Sequence, residues 1–161
     1  MPNGLVLGID PGLAATGYGV LDQDNRVTAF GCIRTSTGAA GARLLQIVGE
    51  LRALLAVHQV REAALEELFM GKNRTSLIGV AQARGAILAT LEAAGVAAYE
   101  YKPSQVKSLI TGYGAADKAQ IGRMLAIQMQ TAARIDEHAA DALAIALCHL
   151  RTRRMLAAVR T

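Results

Sequence analysis

The amino-acid sequence predicts an α/β fold: a mixed five-stranded sheet, three antiparallel strands followed by two parallel ones, flanked by helices. Three observations carry this. The first 35 residues hold three short β-type segments joined by short turns, which implies an antiparallel start. Beyond them, segments of helical period alternate with short apolar runs, which implies parallel crossovers. Finally, 52% of the 161 residues are apolar and mean hydropathy is +0.28, which supplies a core and excludes intrinsic disorder. Residues 1–161 read as a single domain, with no linker, internal repeat or low-complexity tract.

Each element follows from its residues. Leu5–Ile9 is an apolar run ending in Asp10-Pro11-Gly12, where proline followed by glycine reads as a tight turn, so Asp10 stands at a strand end. Thr16–Leu21 is a second strand, stopped by the polar hairpin loop Asp22-Gln23-Asp24-Asn25, and Val27–Thr35 is the third. The period then changes: Leu44, Ile47, Val48, Leu51, Leu54 and Leu55 share one helical face. Arg61–Leu65 is a short buried strand leading into Glu66. Leu77, Val80, Ala81, Arg84, Ile87, Leu88 and Leu91 mark a long helix closed by Gly95, and Val96–Tyr101 is the fifth strand. Pro103 opens a short helix. After the break Gly112–Gly114, Ala116–Gln130 and Glu137–Val159 read as the last two helices.

Composition sets aside several classes. No stretch reaches the roughly 18 uninterrupted apolar residues of a membrane span. The N-terminus lacks the basic region and apolar run of a secretory signal. Cys32 and Cys148 make no disulfide framework and fit a reducing cytoplasm, with both thiols expected to be buried. Net charge is +4, which alone decides little, but its distribution is informative. Lys and Arg gather at Lys72–Arg74, Lys102–Lys118 and Arg151–Arg160, whereas Asp10, Glu66 and Asp141 lie beside apolar residues. A basic surface around a half-buried acidic centre suits a metal-dependent nuclease, which must attract phosphates and hold a cation where they are cut. The tail arginines read first as helix-end charges favoured by the macrodipole, with DNA contact as the other reading.

The acids form a pattern. Asp10 ends the first strand, Glu66 the fourth, and Asp141 sits in the apolar helical run Ala139–Leu150. His138 lies three residues before Asp141, on the same helix face. Strands one and four can be neighbours, which would bring Asp10 and Glu66 together with the last helix crossing nearby. Carboxylates that close repel unless a divalent cation joins them, and oxygen donors suit magnesium or manganese. A histidine donor at 138 tilts the preference toward manganese. Singly, each residue has a plainer role: Asp10 as a turn cap, His138 as a hydrogen-bonded helix residue, either Glu66 or Glu67 as a solvated acid.

Leu7-Gly8-Ile9-Asp10-Pro11-Gly12, Thr16-Gly17-Tyr18-Gly19, Glu66 with Phe69-Met70 and Lys72-Asn73, Gln82-Ala83-Arg84-Gly85, Gln105-Val106-Lys107 with Lys118, and His138-Ala139-Ala140-Asp141 through Ala146 occur in that order. Over about residues 4 to 150 they resemble the RuvC family of bacterial crossover junction endodeoxyribonucleases. The resemblance implies a ribonuclease H-like fold and a cytoplasmic homodimer that cuts four-way (Holliday) DNA junctions in recombination and repair. It implies Asp10, Glu66, His138 and Asp141 as catalytic, metal-binding residues. The family position at His138 is aspartate in many members and histidine in others. The spacing to Phe69 selects Glu66 over Glu67. Two Mg2+ or Mn2+ ions per site, about 4 Å apart, would activate a water and stabilise the leaving 3′ oxygen. Lys107 and Lys118 are implied near the scissile strand, and Phe69 as an aromatic that inserts at the junction centre. Lys72 and Arg74, on the same loop, are candidate phosphate contacts. Coupling to the RuvA–RuvB branch-migration complex is implied as well.

A four-way junction has a two-fold axis, so paired nicks call for a symmetric dimer. Leu77, Val80, Ala81 and Leu88 on the second long helix are the expected subunit contact, their alternative role being the chain's own core. Two rival readings remain at this point: half of an actin-like ATPase or sugar kinase, whose phosphate loop Gly8-Ile9-Asp10-Pro11-Gly12 resembles, and a junction-binding module without catalysis.

Overall fold

The computed structural model describes residues 4–68, 74–111, 122–123, 125–127 and 135–159, the side chain of Arg74 excepted. The elements are β1 (Leu5–Asp10), β2 (Ala15–Leu21), β3 (Val27–Arg34), α1 (Ala40–Val57), β4 (Val60–Glu66), α2 (Arg74–Ala93), β5 (Ala97–Tyr101), α3 (Pro103–Thr111) and α4 (Glu137–Val159). Each lies within a residue or two of its predicted span, except that α1 and α2 extend past their apolar stripes. Residues 122–123 and 125–127 are helical inside the predicted Ala116–Gln130 segment, whose remainder lies outside the described residues.

The strands form one sheet in the order β3-β2-β1-β4-β5. β2 runs antiparallel to β1 and β3, whereas β4 runs parallel to β1 and β5. β1 is central and buried on both faces, which explains its nearly continuous apolar sequence. Leu7 and Ile9 pack with Ile47 and Leu51 of α1 and with Ala83, Ile87 and Leu91 of α2. Val6 points the other way, into a second core with Val106 and Ile110 of α3 and with α4. The sheet is thus a middle layer between two helical layers. From Ala142 to Leu150 every residue of α4 is buried, as a helix apolar on all sides should be.

α4 lies unusually close to the sheet because β1 and β2 present glycines to it. A Cβ on Gly8 would collide with the Ala142 carbonyl and approach the Ala146 nitrogen to 2.8 Å; one on Gly17 would collide with the His138 carbonyl. The start of α4 is fixed too. Asp136 caps it, its carboxylate accepting from the His138 amide at 3.0 Å and pairing with Arg34 of β3 at 2.9 Å. Burial raises the Asp136 pKa, but the His138 and Ala139 amides and Arg34 together outweigh it and leave the carboxyl below its ordinary value.

Three expectations need correction. Asp10-Pro11-Gly12 does not close a tight hydrogen-bonded turn. The chain bends at Leu13 and Ala14, and the Thr16 hydroxyl clips the bend by donating to the Gly12 carbonyl at 2.7 Å while accepting from its amide. Cys148 is buried, but Cys32 is only half-buried, because β3 is an edge strand. Of the tail arginines, Arg151, Arg153 and Arg154 fall short of the last turn of the helix, so the macrodipole does not account for them, and each is bonded within the protein. Arg151 donates to the Leu109 carbonyl of α3, Arg153 to Glu62 and Gln23, and Arg154 to the Gln23 carbonyl. Arg160 lies outside the described residues.

Candidate active site

Strand pairing brings the first two acids together. Ile9 of β1 is the partner of Leu65 of β4, and each strand ends on the next residue, Asp10 and Glu66. Parallel neighbours lie about 4.8 Å apart, so the two carboxylates leave adjacent backbones on the face that α4 covers. The close approach of α4 at Gly8 and Gly17 then lowers Asp141 into the same space.

Asp10, Glu66 and Asp141 line one cleft of about 280 Å³ with Lys107, Pro103 and Val106 of α3 and Ala144 and Ile145 of α4. Acids contributed by β1, β4 and α4 therefore line one cleft, and a lysine lines it with them. His138 joins through its neighbour: its Nδ1 stands 3.2 Å from Asp10 Oδ2, with the ring 40% exposed. Hard carboxylate oxygens gathered in one cleft suit a divalent cation. Among the described residues the acids share the cleft without closing into a three-ligand cage.

Glu67 points elsewhere, lining a separate cavity with Leu68, Lys102, Pro103 and Ser104. Phe69, Lys72 and Lys118 lie outside the described residues, as does the Arg74 side chain, although Arg74 begins α2. On α2, Leu77, Val80 and Leu88 are half-buried and Ala81 is exposed, while Ala83, Ile87 and Leu91 form its core side.

Sequence reasoning missed a second polar cluster, beneath the far end of α4. His149 is 3% exposed. Its Nδ1 meets the Tyr101 hydroxyl at 2.7 Å and its Nε2 meets Glu62 Oε2 at 3.0 Å, with Arg153 on the same carboxylate and the Tyr99 ring 4.6 Å away. Burial lowers the His149 pKa more than Glu62 raises it, and burial pushes the Tyr101 hydroxyl up to about 12. The available signal was a histidine inside an otherwise apolar helical run, which requires a partner.

A mixed sheet of this order, with acids at the ends of β1 and β4 and on the last helix, defines a nuclease of the ribonuclease H-like class. The comparisons make this specific. The family described as crossover junction endodeoxyribonuclease RuvC matches residues 6–149, and the chain belongs to that family. A RuvC from Chloroflexus aggregans is 47% identical over 152 residues, 91% of this chain and 92% of its own. The structure of T. thermophilus RuvC in complex with Holliday junction substrate superposes with a TM-score of 0.89 at 33% identity, covering 94% of this chain and 96% of that one. The yeast mitochondrial Holliday junction resolvase Ydc2 shares the fold, with a TM-score of 0.72 at 14% identity over 99% of this chain and 84% of its own. Nucleases of the family are metal-dependent. These matches give no support to the ATPase reading or to a module without catalysis.

Proposed function

We propose that this chain resolves four-way DNA junctions, as a homodimer, by paired phosphodiester hydrolysis that leaves 5′-phosphate and 3′-hydroxyl ends. The observation that carries the reading is the convergence of Asp10, Glu66 and Asp141 on one cleft with Lys107 on its wall. The three carboxylates, with His138 beside Asp10, would hold two Mg2+ or Mn2+ ions. Bound there, the ions supply an activated water and charge stabilisation for the leaving 3′ oxygen.

The remaining chemistry belongs to the chain. Lys107 places positive charge against the scissile phosphate and offsets the negative charge that grows during in-line displacement. His138 holds Asp10 by its Nδ1 and so limits the rotamers of a metal-binding carboxylate. Pro103, Val106 and Ile145 give the cleft apolar walls that restrict bulk water. Lys118 is proposed as a second phosphate contact, Lys72 and Arg74 as contacts to the junction arms, and Phe69 as the aromatic that stacks at the junction centre. The α2 surface around Leu77, Val80 and Ala81 is the proposed subunit contact. Handover from the RuvA–RuvB branch-migration complex, in the bacterial cytoplasm, completes the reading.

The test is Asp141→Asn on a synthetic four-way junction with Mg2+ and with Mn2+. Cleavage is expected to vanish while junction binding persists or strengthens. Cutting at a near wild-type rate overturns the assignment.

A further inference from the structure

Arg84 occupies an apolar helical stripe, yet it carries a charge and is nearly buried, with its side chain 10% exposed. One guanidinium nitrogen donates to the backbone carbonyl of Glu66 at 2.6 Å, and the other pairs with Glu100 of β5. The helix beneath the sheet therefore grips the main chain of a proposed metal-binding residue.

The strand register accounts for a donor from outside the sheet at this carbonyl. The Glu67 amide bonds to the Tyr101 carbonyl, so odd-numbered residues at this end of β4 turn their main-chain groups toward β5. Glu66 turns its carbonyl the other way, toward β1. With Ile9 opposite Leu65, the ladder donor due at that carbonyl is the amide of residue 11. Residue 11 is proline and has no amide hydrogen. Pro11 thus ends the β1–β4 ladder one bond early, at the place where the Glu66 backbone must stay fixed, and Arg84 supplies a donor from α2 in its stead. Glu100, on the adjoining strand, holds the guanidinium in register.

We infer that Arg84 is a positioning residue, which fixes the Glu66 carboxylate for metal binding by bonding the Glu66 carbonyl left without a ladder donor by Pro11. It is not among the residues that line the acidic cleft. The inference rests on the reading of Glu66 as a metal-binding residue. It also gives the Gln82-Ala83-Arg84-Gly85 segment a task linked to Asp10-Pro11-Gly12.

The experiment compares wild type, Arg84→Gln and Arg84→Lys. Three measurements are made on each: single-turnover junction nicking across a Mn2+ series, junction affinity, and binding of Mn2+ alone by electron paramagnetic resonance. Arg84→Gln is expected to nick about 10- to 100-fold more slowly, the scale of a small misplacement of a reacting group. It should need more Mn2+ for half-maximal rate and bind Mn2+ more weakly without DNA, with junction affinity within about twofold of wild type. Arg84→Lys, which can donate to the carbonyl but cannot also fork to Glu100, should fall between the two. Should Arg84→Gln fail to fold, Arg84→Lys decides by the same criteria. A folded variant with wild-type Mn2+ affinity, free and in the nicking series, overturns the inference, as does loss of junction affinity in step with rate. Wild-type protein that binds Mn2+ but cuts no junction overturns the functional reading instead, and the Mn2+ affinities of the variants still judge Arg84.

Discussion

Gly8 of β1 lies directly beneath Ala142 of α4, so close that the strand has no room for a side chain there. That contact sets the height of the helix over the sheet, and with it the distance from Asp141 to Asp10 and Glu66. Gly8→Ala is expected to lift α4, at a cost of about 1–3 kcal/mol or somewhat more. Melting should fall by roughly 2–4 °C per kcal/mol, and junction nicking should fall further than stability alone explains. A variant that melts and nicks like wild type would show that the helix height is not set here.

Lys107 lines the same cleft as the three acids. Replacing it with alanine should lower the single-turnover rate by about 10²–10³, the usual effect of removing one donor aimed at developing charge, while junction affinity changes little. Gel-shift and cleavage assays on one preparation separate the two. A loss confined to affinity would make Lys107 a simple phosphate contact.

His138 stands beside Asp10, with its ring nitrogen 3.2 Å from the carboxylate. Exchange for an oxygen donor should move metal preference toward the harder ion. The ratio of Mg2+- to Mn2+-supported nicking is therefore expected to rise in His138→Asp. An unchanged ratio would place His138 outside the ligand set.

The pH dependence of stability has a definite sign at His149. Its folded pKa lies below the ordinary value of about 6.5, because burial disfavours the imidazolium more than Glu62 favours it. The unfolded chain therefore takes up the proton first as pH falls. The contribution is complete above about pH 6.5 and is lost as pH drops toward the folded value, at no more than about 1.4 kcal/mol per pH unit. The groups facing the ring are Glu62, Arg153, Tyr99 and Tyr101. Melts at pH 7.5 and 5.0 should show a smaller acid-induced drop for His149→Asn than for wild type. Equal drops would assign the acid sensitivity to other groups.

Burial pushes the Cys148 thiol up to about 11 and the Cys32 thiol above its ordinary value. Thiolate is the reactive form, so at pH 8 native protein should react slowly with a thiol reagent. Cys32, being half-buried, should react first, and Cys148 only with unfolding. Rapid labelling of both in native protein would contradict the packing of α4.

Much of the site was legible because its acids sit where periodicity breaks: Asp10 and Glu66 end apolar strands, and Asp141 interrupts an apolar helix. Neighbouring strands then do the rest, and β1 and β4 are indeed partners. What could not be read depended on distant pairs. Gln23 lies in a hairpin loop and Arg153 is 130 residues away, yet they bond, and no local pattern relates them. In the sequence Arg84 shows as a charge in an apolar helical stripe and as part of Gln82-Ala83-Arg84-Gly85, with no partner indicated. Its partner carbonyl follows from the register of two strands and the missing hydrogen of a proline, which become related only when the sheet is assembled. The Asp10-Pro11-Gly12 bend was misread because the Thr16 hydroxyl, four residues beyond Gly12, replaces the expected backbone bond.

The sheathing of α4 makes that helix a stiff rod. Asp141 is near one end and Arg153, clamped to Glu62 and the β2–β3 hairpin, is near the other, about 18 Å along the axis at 1.5 Å per residue. A rod gripped at its tail transmits tilt to its tip. Loosening the hairpin clamp at Gln23 would swing the carboxylate at residue 141, so defects in cutting can arise at the opposite end of the helix from the acidic cleft.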